Sequence, residues 1–218
     1  MDEIKKQTAS DSLYELFSRY PTLEQPCQES VILSFRKLCS AFERGNKLLV
    51  CGNGGSAADS EHIVGELMKS FKMKRSPREG FCEKYRTLFG KEVPKGLEGA
   101  LPAISLVSTS ALSTAIANDG WEKGVFAQQV YGYGSEGDVL LAISTSGNSK
   151  NVVEAIRVAK ALNMTVISMT GKAPSIASEL SDVAIQVPET EVYKIQELHL
   201  PIYHALCAAL EEWFFNEG

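Results

Sequence analysis

The sequence predicts an α/β fold, a three-layer α/β/α sandwich around a five-stranded parallel sheet, with N-terminal helices lying outside the core. Three observations predict it. Short apolar runs that fit single buried strands alternate with segments of helical periodicity, the pattern of parallel strands joined by crossover helices. Two strand-to-helix junctions are rich in glycine and hydroxyls: Cys51-Gly52-Asn53-Gly54-Gly55-Ser56 and Ser144-Thr145-Ser146-Gly147-Asn148-Ser149. The chain has 218 residues, 44% hydrophobic and 22% charged, which is enough for one ordinary domain with a full core.

Taken in order, residues 1–45 read as a helical extension. Helical patterns cover 10–20 and 28–44, separated by Pro21 and Pro26. In the second, Val31, Ile32, Phe35, Leu38, Cys39 and Phe42 form one apolar face, suited either to an oligomer contact or to the core. The apolar run 47–51 is the first strand, and its helix spans 57–71. His62 and Glu66 lie four residues apart on that helix and share a face, a spacing that can chelate a metal or pair an acid with a base. Residues 72–100 read as an insertion; seven residues between Lys69 and Arg86 are basic in a chain of net charge −5. They form either a solvated insertion or a flap whose cations attract an anionic substrate.

The second strand is 103–107, followed by helices at 111–118 and 121–131. Strand three is 138–143 with its helix at 151–162; strands four and five are 164–169 and 183–187. A last helix covers 192–216 and carries Gln196, Glu197, His199 and His204, with Pro201 expected to bend or interrupt it. On a straight helix Gln196 and His204 stand about 12 Å apart along the axis, so joint action on one metal requires that break. His199, in an apolar stretch, reads as a structural histidine.

The first glycine turn opens a helix near Ser56, where unpaired N–H groups and the helix dipole favour an anion. The second turn offers the hydroxyls of Ser144, Thr145, Ser146 and Ser149, and one phosphate can be held by hydroxyls and backbone N–H groups together. Either serine alone would also serve as a plain helix cap. Neither turn matches the P-loop or the dinucleotide fingerprint, so no nucleotide cofactor is expected. The negative net charge argues against a nucleic-acid partner. No apolar run approaches the roughly 20 residues of a membrane span and no signal-type apolar core follows the N-terminus, so a cytoplasmic location without membrane contact is expected. Five cysteines, an odd number without Cys-x-x-Cys spacing, argue against a disulfide framework or structural zinc, and Cys51 reads as a small buried hydrophobe.

At both turns and the last helix the chain resembles the sugar isomerase (SIS) domain family, and within it the phosphoheptose isomerases. The resemblance rests on Cys-Gly-Asn-Gly-Gly-Ser at 51–56, Gly-Asp-Val-Leu-Leu-Ala-Ile-Ser-Thr-Ser-Gly-Asn-Ser at 137–149 and Ile-Gln-Glu-Leu-His-Leu at 195–200. It covers about 28–214 apart from 72–100, and implies a single SIS domain over 1–218 with a flavodoxin-like sheet. It implies that Asn53, Gly54, Gly55, Ser56, Ser144, Thr145, Ser146 and Ser149 bind a small-molecule sugar phosphate, with Thr109 and Gln196 also lining the pocket. It implies Glu66 as the catalytic base and His204 as the acid, and His62, Glu66, Gln196 and His204 as the positions that hold zinc in some members. The activity it implies is aldose–ketose isomerisation of sedoheptulose 7-phosphate to a heptose 7-phosphate through an enediol, in a homotetramer with sites built across subunits. The chemistry agrees, because one group must move a proton between neighbouring carbons while another serves the oxygens. Thr109 and Tyr193 stand where the family pattern has aspartates, which leaves a different sugar phosphate as an alternative. Others are an enzyme of amino sugar phosphates and a non-catalytic SIS module that binds a phosphosugar or a protein partner.

Overall fold

The computed structural model describes residues 10–216. Five strands form one parallel sheet in the order β2-β1-β3-β4-β5: β1 Leu48–Gly52, β2 Ala103–Ser105, β3 Val139–Ile143, β4 Thr165–Thr170 and β5 Val183–Gln186. The two central strands β1 and β3 are buried at every residue, as continuous apolar runs between two helical layers must be.

Helices cover both faces. One layer contains α1 Asp11–Arg19, α2 Gln25–Glu43, α3 Gly55–Met68 and α9 Val192–Phe215, whose apolar residues share one core cluster with Leu48, Val50, Leu141 and Ile143. On the opposite face Phe126 and Val130 of α6 Val125–Tyr133 pack with Val152, Ala155 and Ile156 of α7 Lys150–Ala161 against Leu49, Leu140 and Val166. Helices α4 Glu79–Phe89, α5 Ser110–Asn118 and α8 Ile176–Leu180 complete the set, with a 3₁₀ turn at Glu122–Gly124.

Several expectations need correcting. The N-terminal helices do not lie outside the core: Leu13, Leu16 and Phe17 of α1 and Val31, Phe35 and Leu38 of α2 are buried in the first cluster against α9 and the β5 edge. Their apolar faces find cover within the chain. Nor does Pro201 interrupt the last helix, which runs unbroken for 24 residues. The carbonyl that would have received its N–H belongs to Glu197, an exposed residue, so water can take the place of the lost bond. The first turn of α3 begins at Gly55, capped by Gly54 at φ +57°, so Ser56 is inside the helix and not its cap.

The basic segment is more ordered than a solvated run. Arg75 is buried, and its guanidinium pairs with the buried Glu211 at 2.7 Å while donating to the carbonyls of Leu67 and Glu66 at the end of α3. Beyond this anchor, α4 leaves Phe81, Leu88 and Phe89 exposed. Among the described residues no helix is long and apolar enough to cross a membrane. All five cysteines are free and buried, and burial pushes the Cys51 thiol up to about 12.

Candidate active site

Parallel sheets bind ligands beyond the carboxyl ends of their strands, at the point where successive crossovers leave for opposite faces. Here that point lies between β1 and β3, whose last residues Gly52 and Ile143 are paired. The loop after β1 enters α3 on one face and the loop after β3 enters α7 on the other. Two reciprocal amide hydrogen bonds, each 2.9 Å, tie Asn53 of the first loop to Asn151 in the first turn of α7.

Each loop is shaped by close approach. A Cβ on Gly52 would lie 2.6 Å from the Ser56 carbonyl oxygen, so the turn closes only on glycine. Gly54 and Gly55 are exposed, whereas Ser56 is buried beneath them and its carbonyl accepts the Ser60 hydroxyl at 2.7 Å. In the second loop Ser144 and Ser149 hydroxyls are 3.1 Å apart, and Ser146 Oγ accepts from Asn148 N at 3.2 Å. Thr145 is half-buried, its carbonyl accepting from Gly171 N. Gly147 at φ +63° presses on Ser175, the cap of α8, and its carbonyl accepts Ala177 N. Thr109 Oγ1 donates to Gln129 Oε1 at 2.9 Å, which secures the start of α5 to α6.

Helix α9 packs against α3 and runs in the same sense, so residues pair off along the two helices. Near its start Gln196 covers the first loop; a Cβ on Gly55 would lie 2.5 Å from Gln196 Nε2. Two turns later His204 meets His62, with ring nitrogens Nε2 to Nε2 at 3.4 Å, and His62 Nε2 is 3.0 Å from Glu66 Oε1. Glu66 is the more enclosed member, its side chain 16% exposed against 44% for His62. Burial, and then the neighbouring His62, hold the His204 imidazole below its ordinary pKa against the opposing pull of Glu66.

Three of the four residues that the resemblance linked to zinc therefore meet, and Gln196 does not. The unbroken helix keeps it with the loop, about 12 Å up the axis from His204. The three that meet are turned toward one another in hydrogen-bond contact, and among the described residues no three His, Cys, Asp or Glu side chains are arranged to hold a metal ion.

His204 also forms part of the wall of an open cleft of about 470 Å³ between α1 and α9, lined also by Leu16, Phe71, Lys72 and Leu200; neither glycine loop lines it. His199, fully buried, points the other way, with Nε2 3.4 Å from the Thr170 carbonyl, and burial pushes its pKa down to about 4. Sequence reasoning missed Tyr203 and Asp59, which stand behind His62, and Asn151. Nothing in periodicity marks them, because each contact spans about half the chain or more.

The pattern of the SIS domain matches residues 112–209. A phosphoheptose isomerase of Shewanella baltica (strain OS155 / ATCC BAA-1091) is 36% identical over 210 residues, 95% of each chain. Among solved structures, a phosphoheptose isomerase from Francisella tularensis superposes with a TM-score of 0.72 at 29% identity, covering 97% of this chain and 100% of that one. The phosphoheptose isomerase GmhA from Neisseria gonorrhoeae gives 0.70 at 30% identity, over 92% and 93%.

Proposed function

Since the chain belongs to the phosphoheptose isomerase family of SIS-domain proteins, we propose that it interconverts sedoheptulose 7-phosphate and a heptose 7-phosphate, with Glu66 as base and His204 as acid. The observation that carries the residue assignment is the meeting of Glu66, His62 and His204 along α3, well down the helix from the glycine loop at its start. From Gly55 the axial rise is about 10 Å to His62 and about 16 Å to Glu66, shortened by the lean of helical side chains toward the N-terminus. A substrate gripped by its phosphate at the loops must be long to present its reacting carbons there. A ketose 7-phosphate, with phosphate at one end and C1 and C2 at the other, has that form.

The steps follow from the groups present. The Glu66 carboxylate removes a proton from C1 of the ketose as the C2 carbonyl oxygen takes one from His204, giving the enediol. His204 recovers a proton from the C1 hydroxyl, and Glu66 returns its proton to C2. An imidazole held below its ordinary pKa is neutral near pH 7, so it can donate from one nitrogen and accept at the other. His62, in contact with both, holds the carboxylate and the imidazole in register. The two loops supply N–H groups and hydroxyls to the phosphate.

The proposal extends to a homotetramer: among the described residues Leu88, Phe89, Tyr131, Val192, Tyr193 and Trp213 are large apolar or aromatic side chains left more than half exposed, as subunit faces require. The deciding experiment is Glu66→Gln. Its expected outcome is loss of solvent-proton exchange into bound sedoheptulose 7-phosphate with phosphate-dependent binding retained; exchange at the wild-type rate would remove Glu66 from the reaction.

A further inference from the structure

Helix α9 meets His62 with two consecutive residues. His204 reaches the front of the ring, at 4.8 Å between centroids, while Tyr203 turns inward and meets it edge-on at 5.6 Å. Tyr203 is 1% exposed, and its hydroxyl has two polar neighbours. One is Asp59 Oδ1 at 3.2 Å and the other is His62 Nδ1 at 3.1 Å. A phenol has one proton to give, so it donates to one neighbour and accepts from the other.

The carboxylate decides which. Asp59 Oδ2 has no hydrogen-bond partner among the described residues, and a carboxylate enclosed without donors is costly. The Tyr203 proton therefore goes to Asp59 Oδ1, and the hydroxyl oxygen accepts Nδ1–H of His62. This fixes the ring about both of its torsions. Nδ1 is committed to Tyr203, and Nε2 faces Glu66 Oε1 at 3.0 Å, a contact in which it donates when the ring carries both protons, and His204 at 3.4 Å. The ring of His62 is otherwise half open to solvent, and among the described residues only Tyr203 bonds Nδ1.

We propose that Asp59 and Tyr203 are positioning residues for the isomerisation, a buried relay in which Asp59 orients the Tyr203 hydroxyl and the hydroxyl orients His62 against Glu66. The proposal rests on the reading of Glu66 as base. Neither residue touches substrate, and their effect passes through the placing of the carboxylate, where small displacements cost a great deal in rate. Oriented support of this kind behind a working imidazole is the logic of any base held by a third group.

The test uses the full chain and sedoheptulose 7-phosphate, with kcat and KM measured separately. Tyr203→Phe keeps the ring and its packing and removes only the hydroxyl; kcat should fall by about ten- to a hundredfold with KM nearly unchanged, while the thermal midpoint drops because Asp59 loses its donor. Asp59→Asn retains an oxygen that can accept from Tyr203 and should keep most of the wild-type kcat. Asp59→Leu should resemble Tyr203→Phe, and the double variant Tyr203→Phe/Asp59→Leu should be no slower than either alone, because both break one chain of bonds. A wild-type kcat in Tyr203→Phe overturns the proposal, and so do additive losses in the double variant. Should Asp59→Leu fail to fold, the contrast between Tyr203→Phe and Asp59→Asn decides: equal rates in the two overturn it. Glu66→Gln, run alongside, separates the two readings, since retained proton exchange there would count against the base while the Tyr203 result speaks only to the relay.

Discussion

Removing the Glu211 carboxylate tests how the two helices of the site are held together. Its Oε1 accepts from Phe71 N at 2.8 Å and Arg75 Nε at 2.7 Å, and its Oε2 from Lys72 N at 2.7 Å and Met73 N at 3.2 Å. Both side chains of the ion pair are fully enclosed. Glu211→Ala would leave three backbone N–H groups and a buried guanidinium without their acceptor. Breaking a buried pair from one side costs about 3 to 5 kcal/mol, and the orphaned donors place this case near the upper end. That is a large part of the stability of a domain this size, roughly 5 to 15 kcal/mol. Urea denaturation followed by tryptophan fluorescence should show a fall in midpoint with the slope unchanged. Glu211→Gln, which keeps one acceptor oxygen, should lose about half as much. A loss below about 1 kcal/mol for Glu211→Ala would refute the reasoning, because a pair so cheaply broken cannot be desolvated.

Two further outcomes are expected. Because His199 is held near pKa 4 against an ordinary 6.5, the unfolded chain binds a proton below pH 6.5 that the native one refuses; stability is full above that pH and declines toward pH 4. Urea midpoints at pH 7 and pH 5 should show about 2 kcal/mol of acid sensitivity that His199→Met lacks, and equal sensitivity in the two proteins would count against it. At the second loop, Gly147→Ala places a Cβ against Ser175 Oγ at a positive φ. It should raise KM for the phosphorylated substrate about tenfold or more by displacing the hydroxyl turn, and an unchanged KM would show that this loop does not hold the phosphate.

What the sequence disclosed follows from how far each signal reaches along the chain. The strands were legible because burial on both faces leaves short unbroken apolar runs, and both ligand loops because only glycine tolerates the turn at Gly52 and the left-handed backbone at Gly147. Helix α8, five residues long, was missed since a single turn carries no periodicity. The apolar face of α2 was visible, but a periodicity names no partner, and the sheet edge at β5 that covers it is more than a hundred residues away. The same limit governed the site. His62 and Glu66 share a helical face and could be paired from spacing alone, whereas Tyr203 and Asp59 are 144 residues apart and meet only because α9 lies beside α3. The straightness of α9 matters to that meeting. A break at Pro201 would have brought Gln196 down toward His204; without it, Gln196 stays with the glycine loop while Tyr203 and His204 bracket His62. One uninterrupted helix thus sets the separation between the glycine loop at Gly55 and the cluster of His62, Glu66 and His204, and on the proposed reading of the two as phosphate and proton-transfer sites that separation favours a long sugar phosphate over a short one.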